Sequence, residues 1–186
     1  MKKSVITTLC GMLAIALSAC QAKTGETVQE TVEPSEAPTT QDNCLTYKNA
    51  DFGYELQLPA GFSPQNDDEQ MEKRRGGKLF IDGDGNMIDT NADKMDYAHI
   101  TPEESAKQCY DFACAAYESN EKSELISKEF DGKTFKVVAK DEYGYRAQIF
   151  VGTPNSHIIV HFTYNEDLKD KFDKDLDEVA KSLKVE

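Results

Sequence analysis

Apolar and polar residues alternate along several segments that follow Cys44, and a period of two predicts strands with one buried face. The clearest run places Phe52, Tyr54, Leu56 and Leu58 on one side, and Pro59-Ala60-Gly61 ends it. Asp131-Gly132 is a typical hairpin turn between two such segments. Further strands are predicted at 46–48, 78–81, 125–130, 134–139, 145–151 and 158–164.

In two segments, the apolar residues recur at helical spacing instead of alternating with polar ones. Thr101, Pro102 and Glu104 form a capping-box pattern, which predicts a helix that begins there. Its apolar face is made of Ala106, Cys109, Tyr110, Ala113 and Tyr117. A second amphipathic helix is predicted near the end of the chain, with Asn165 as its N-cap; its apolar positions are Leu168, Phe172, Leu176, Val179 and Leu183. Strands in meander order with two helices predict an α+β fold, an antiparallel β-sheet with helices packed on it.

The order of these elements resembles the PsbP-like family over about residues 45 to 185. The resemblance rests on the segment 52–62, a basic Gly-rich strand, the capped helix, the Asp-Gly hairpin and a final helix that ends Val-Ala-Lys-Ser-Leu. Its matching positions are Tyr54, Pro59, Gly61, Phe62, Gly132, Phe135 and Leu183. The family includes extrinsic subunits of photosystem II and many bacterial lipoproteins. The resemblance implies an α/β/α sandwich and carries no functional residue with it.

The start of the chain follows the plan of a secretory signal peptide. Lys2 and Lys3 precede an apolar run at 5–17. This run has about 13 residues, whereas a helix needs roughly 20 to cross a bilayer core. Leu17-Ser18-Ala19-Cys20 resembles the lipobox of bacterial lipoproteins. The resemblance implies cleavage between Ala19 and Cys20 and a lipid on the Cys20 thiol, so that 1–19 is a removed signal peptide.

Residues 20–43 are predicted to be the lipidated cysteine followed by a disordered acidic tether, because they contain too few apolar residues to bury. Residues 44–186 have the size and the apolar content of a single domain. Gln21 follows the cysteine where an aspartate would resemble an inner-membrane sorting signal. The predicted location is therefore the cell envelope, in the outer membrane rather than the inner membrane.

The net charge of the chain is −13. Cleavage would remove two of its 21 basic residues and none of its 34 acidic ones, which changes the net charge to −15. Such a chain is poorly suited to bind nucleic acid, because phosphate neutralisation supplies most non-specific affinity. Attachment to a membrane is expected through the lipid and not through surface charge. The basic cluster at 73–78 is either a solvated loop or a docking patch for an acidic partner.

Three cysteines remain after Cys20. Cys44 could form a disulfide with Cys109 or Cys114 in an exported protein. Cys109 and Cys114 lie on one predicted helix and point apart, so a bridge between those two is not expected. The alternative is that all three are free thiols.

One loop has the residue types of a cation site. Asp82, Asp84, Asn86 and Asp93 occupy the first, third, fifth and twelfth positions of a calcium-loop pattern. Met87 stands at the sixth position, where the pattern needs glycine. The alternative is a Gly-rich turn in which the Asp and Asn side chains accept backbone hydrogen bonds.

The sequence contains none of the common catalytic or phosphate-binding motifs. His157 and His161 lie on one face of a predicted strand, four residues apart and too distant to share a metal ion. These observations favour a non-enzymatic binding or accessory domain with an envelope protein as its partner. The alternative is an envelope enzyme with an unrecognised active site.

Overall fold

A computed structural model describes residues 44–65, 69–96 and 98–186, with the backbone alone at 69–71. The described residues form ten strands and three helices. The strands are β1 Leu45–Asn49, β2 Tyr54–Leu58, β3 Ser63–Pro64, β4 Leu79–Ile81, β5 Met87–Lys94, β6 Glu124–Phe130, β7 Thr134–Asp141, β8 Gly144–Gly152, β9 Ser156–Tyr164 and β10 Lys184–Val185. The helices are α1 Glu69–Arg75, α2 Pro102–Glu118 and α3 Lys169–Ser182.

The strands form two antiparallel sheets. The larger sheet has seven strands in the order β3-β4-β5-β9-β8-β7-β6, and the smaller has the order β1-β2-β10. The predicted α+β fold is confirmed, although the first hairpin does not join the large sheet. It pairs instead with the C-terminal strand, where Val185 lies opposite Tyr54.

Each face of the large sheet has its own apolar cluster. On one face, Ile158, Val160 and Phe162 of β9 pack with Phe172 and Val179 of α3 and with the small sheet. On the other face, α2 covers a second cluster. Its buried members are Ala106, Ala113, Cys114, Phe135, Val137 and Phe150. Helices thus lie on both sides of the sheet, as the α/β/α arrangement requires.

Helix α2 begins as predicted. The Thr101 hydroxyl accepts from the Glu104 N–H at 3.1 Å, and the Glu104 carboxylate accepts from the Thr101 N–H at 2.9 Å. Tyr110 of this helix stacks on Phe130 of β6, with ring centroids 5.0 Å apart. The cap and this contact fix both the start of α2 and the side that faces the sheet edge.

The basic cluster at 73–78 is not a solvated loop, although Lys73 and Arg74 are exposed. Lys73, Arg74 and Arg75 form the last turn of α1, which the sequence analysis did not predict. Gly76 and Gly77 then lie buried against the backbone of β5. A Cβ on Gly77 would lie 1.9 Å from the carbonyl oxygen of Thr90, so only glycine fits here.

We predict that Gly77→Ala lowers the free energy of unfolding by about 3 kcal/mol, because the new methyl group must displace the β5 backbone. Urea denaturation of the variant measures the loss. Gly83→Ala is the matched control, since a Cβ at Gly83 meets nothing within 4 Å. Equal stability of the two variants would contradict the close approach of Gly77 to β5.

Candidate functional site

The predicted calcium loop is a turn closed by its own side chains. The Asp82 carboxylate accepts from the backbone N–H of Asp84 at 3.0 Å and of Asn86 at 2.9 Å. It also accepts from the Asn86 side-chain amide at 2.8 Å. The turn alternative therefore describes this segment.

Asp93 does not belong to this loop, and the four-residue calcium site is wrong. It lies near the far end of β5, and the strand from Met87 to Asp93 spans about 20 Å. Its carboxylate lies 3.4 Å from Nε2 of His157 instead. The described residues contain no group of three or more His, Cys, Asp or Glu side chains arranged to hold a metal ion.

A lysine ammonium is the cation that neutralises the turn. Lys171 Nζ of α3 lies 3.1 Å from Asp82 and 2.6 Å from Asp175. The side chains of these two carboxylates are only 4% and 6% exposed. The ammonium also lies over the rings of Phe62 and Tyr164, 4.9 and 5.2 Å from their centroids. Two buried carboxylates thus share one ammonium as their counter-charge.

Hydrogen bonds favour the charged forms of Asp82 and Lys171. Burial raises the pKa of Asp82, but the hydrogen bonds from Asn86 and Lys171 outweigh it, and the pKa lies below its ordinary value. Burial lowers the pKa of Lys171, and the Asp175 and Asp82 carboxylates reverse that effect, so the pKa is raised. Burial and the hydrogen bond that the Tyr164 hydroxyl donates to Asp175 at 2.8 Å raise the pKa of Tyr164.

This network also explains a wrong prediction at Asn165. The residue is not the cap of α3, whose N-cap is Leu168. Its side-chain amide donates to the Asp84 carbonyl at 3.0 Å, and its backbone N–H donates to Asn86 Oδ1 at 3.1 Å. Asn165 therefore connects the turn to the end of β9.

Lys171→Met is expected to destabilise the domain by about 3–5 kcal/mol, because it leaves buried Asp82 and Asp175 without a counter-charge. Chemical denaturation at neutral pH gives the value. Lys174→Met removes an exposed pair with Glu178 from the same helix and should cost no more than about 0.5 kcal/mol. Similar losses of unfolding free energy for the two variants would contradict the role of Lys171 as the counter-charge of Asp82 and Asp175.

Asp82 should also contribute to the pH dependence of stability. A carboxyl group with a lowered folded-state pKa stabilises the fold above its unfolded pKa and loses that contribution as the pH falls through the folded pKa. The stability difference between the wild type and Asp82→Asn should therefore shrink as the pH falls from about 5 to about 2. Denaturation curves across that range measure it, with Asp84→Asn as the control. A difference that stays constant would contradict the lowered pKa.

Of the two alternatives for the cysteines, the structure has the free thiols. Cys44, Cys109 and Cys114 are all free thiols. Cys44 precedes β1 in the small sheet, on the α3 side of the large sheet. Cys109 and Cys114 lie on α2, across the large sheet from it. Burial raises the pKa of the Cys109 thiol, which reduces its reactivity.

Within the described part of the chain, α2 leaves part of its side of the large sheet uncovered. Helix α2 packs against β6, β7 and β8, and the face of β5 and β9 continues past it. Strand register places Asp89, His161 and Gln148 side by side across β5, β9 and β8. We call this surface the open face. Its residues are Arg75, Asp89, Asn91, Gln148, His161 and Thr163.

One end of the open face is held by Arg75. Its Nη2 donates to both carboxylate oxygens of Asp89, at 2.5 and 2.7 Å. Its Nε donates to Asn91 Oδ1 at 3.4 Å. Beside this pair, the surrounding protein lowers the pKa of the exposed His161 by desolvation, and the Asp89 carboxylate partly offsets that effect. The open face is therefore polar and rigid, with its two full charges paired.

His157 lies on the same strand face, beyond the open face. Its ring centroid is 5.3 Å from that of Phe150. Its Nδ1 is buried and has no hydrogen-bond partner within the described part of the chain. As predicted, His157 and His161 share a strand face, and each lies opposite a different aspartate of β5.

The opposite face of the sheet carries a shallow apolar groove of about 600 Å³ between β8 and the end of the chain. Ile149 and Val151 line its base, and Ala180, Leu183 and Val185 line one side. No helix among the described residues has the length and apolarity to span a membrane. Ala19 and Cys20, the predicted cleavage and lipidation sites, lie outside the described residues.

Comparison with known proteins identifies the fold. No protein-family model matches the sequence, and no curated protein sequence matches it either. Among solved structures, the chain is similar to CyanoP, the cyanobacterial PsbP protein of Synechocystis, with a TM-score of 0.55 and 16% identity over 82% of this chain and 98% of that one. It is also similar to LpqN of Mycobacterium tuberculosis, described as involved in cell envelope biogenesis, with a TM-score of 0.53 and 11% identity. That match covers 77% of this chain and 91% of LpqN. The fold is therefore PsbP-like.

Proposed function

We propose that this protein is a membrane-anchored lipoprotein of the bacterial envelope whose domain binds another envelope component and does not catalyse a reaction. The observation that carries the binding role is the open face, a broad polar sheet surface that α2 leaves uncovered. Enclosed pockets with clustered titratable groups are typical of catalysis, whereas flat surfaces are typical of recognition. The similarity of the fold to LpqN, a protein of envelope biogenesis, supports the location.

The anchor is proposed from the sequence. Leu17-Ser18-Ala19-Cys20 follows an apolar run too short to span a bilayer, and a lipid on the Cys20 thiol followed by cleavage before Cys20 would anchor the chain. Gln21 favours the outer membrane. The segment 21–43 would then connect the lipid to the domain, and a protein of the envelope would be its partner.

Cys20→Ala should move the protein from the detergent phase to the aqueous phase in detergent partition of whole cells, because the lipid supplies the membrane affinity. Cys44→Ala is the matched control and should stay in the detergent phase. Detergent partition of Cys20→Ala would refute the lipid anchor.

Crosslinking in the native envelope followed by mass spectrometry tests the binding role. We expect Gln148→Glu combined with Thr163→Glu to reduce the recovered complex at least about tenfold. The two new carboxylates would lose their hydration in the interface without gaining a counter-charge. Lys174→Glu on the outer side of α3 should leave recovery unchanged. Loss with the control and not with the double variant would place the interface elsewhere.

A further inference from the structure

We propose that Asp84-Gly85 is a site of spontaneous isomerisation, at which aspartate converts to isoaspartate in the folded protein. The substrate is the peptide itself, and water is the other reactant. The inference goes beyond the proposed function, because it concerns the turn 82–86 and the contact of that turn with Asn165. It follows from a comparison of the three Asp-Gly pairs of the chain, which are Asp82-Gly83, Asp84-Gly85 and Asp131-Gly132.

The reaction joins the backbone nitrogen of a glycine to the side chain of the aspartate before it. The nitrogen of Gly85 attacks Cγ of Asp84, the new C–N bond closes a succinimide ring, and the carboxyl hydroxyl leaves with the amide hydrogen as water. Water then opens the ring. Cleavage of the bond between the nitrogen and the former main-chain carbonyl carbon leaves the chain running through Cγ, which is isoaspartate. The water that is lost is taken up again, so the net reaction involves no oxidation or reduction.

Two requirements decide which Asp-Gly pair reacts. The glycine must offer its nitrogen without hindrance, and Gly83, Gly85 and Gly132 all do so, since a Cβ at each would meet nothing within 4 Å. The aspartate side chain must rotate toward that nitrogen and must take up a proton, because the hydroxyl leaves only from the neutral acid. A carboxylate whose charged form is held by hydrogen bonds meets neither part of the second requirement.

Hydrogen bonds protect Asp82 and Asp131. Asp82 accepts from the backbone and the side chain of Asn86, and its own side chain is only 4% exposed. Asp131 accepts from the backbone N–H groups of Lys133 and Thr134 at 2.9 and 2.7 Å, and from the Thr134 hydroxyl at 2.7 Å. Burial raises the pKa of Asp82 but the hydrogen bonds outweigh it, and backbone hydrogen bonds lower the pKa of Asp131. The reactive neutral acid is therefore scarce at both positions.

The Asp84 carboxylate lacks this protection. Asp84 and Gly85 are both exposed, and the Asp84 side chain accepts no hydrogen bond and forms no ion pair with another residue that the structure describes. Only its backbone is engaged, through the N–H that donates to Asp82 and the carbonyl that accepts from Asn165. One bond opposes the attack, since the Gly85 N–H donates to the Asp82 carbonyl at 3.2 Å. That bond lies in an exposed turn, where local opening does not require unfolding of the domain.

Isomerisation at Asp84 changes the contacts that connect the turn to the end of β9. The new linkage adds a methylene group to the main chain and converts the carbonyl that accepts from the Asn165 amide into a free carboxylate. The hydrogen bond from the Asp82 N–H to the Asn86 carbonyl, which closes the turn at 3.1 Å, spans the lengthened segment. Because Lys171 binds Asp82 at this turn, we expect the converted protein to be less stable.

Peptide mapping of the aged, detergent-solubilised full chain tests the proposal. The protein is kept at mildly acidic pH and physiological temperature for several weeks, and electron-transfer fragmentation then distinguishes isoaspartate from aspartate at each position. We expect at least about tenfold more isoaspartate at Asp84 than at Asp82 or Asp131, because several hydrogen bonds must break before those two can react. In the chain unfolded by urea, the three positions should convert within about twofold of one another, since the protection is lost.

Asp84→Glu is the control variant, because it keeps the charge but would have to close a larger and less favourable ring. Circular dichroism establishes that it is folded. After ageing, it should keep its urea midpoint, whereas the midpoint of the wild type should fall as Asp84 converts. The proposal is overturned if the folded protein accumulates as much isoaspartate at Asp82 or Asp131 as at Asp84, or if Asp84 converts only in the unfolded chain. An unchanged midpoint of the wild type after most of Asp84 has converted would also overturn it.

Discussion

Each face of the large sheet carries apolar side chains that must be buried, and one long helix packs on each face. On one side, α3 and the small sheet together bury the apolar residues of β5, β8 and β9. On the other side, α2 packs against β6, β7 and β8. The side chains of β5 and β9 that point to that side must therefore be compatible with water, and Asp89, Asn91 and His161 meet this requirement. The open face is the consequence of this unequal cover.

On the α3 side of the large sheet, the packing of the helix depends on one cluster of buried charges. Lys171 joins α3 to the turn before β5 through Asp82, and Asp175 with Tyr164 joins the same ammonium to β9. Exchanging such a cluster for apolar residues can be neutral, but removing one member leaves an uncompensated charge. The contacts of Lys171 with Asp82 and of Asp175 with Tyr164 therefore help to fix the position of α3 on the sheet.

Local patterns in the sequence predicted the elements that depend on local interactions. The capping box at Thr101 and the alternation from Tyr145 to Val151 both correspond to elements of the structure. Strand β5 was missed because Asp89, Asn91 and Asp93 have low strand propensity, and its pairing with β4 and β9 overrides that preference. The calcium-loop pattern fails for the same reason, because β5 carries Asp93 away from Asp82, Asp84 and Asn86.

The candidate site was predictable only in part. His161 was expected on one face of a strand with His157, but its neighbours Asp89 and Gln148 come from strands far apart in sequence. The role of Lys171 was also hidden, since nothing near it in the sequence points to Asp82. Contacts of this kind depend on the register and packing of the whole sheet, which periodicity does not specify.

The central claim is that the open face is the binding surface. Hydroxyl-radical footprinting tests it by comparing how strongly each side chain is labelled in the intact envelope and in the purified protein. His161 lies on the open face, whereas Tyr143 is 71% exposed and lies in the β7–β8 turn. The account predicts that labelling of His161 falls in the envelope while labelling of Tyr143 does not change. Unchanged labelling of His161, or protection of Tyr143 alone, would contradict it.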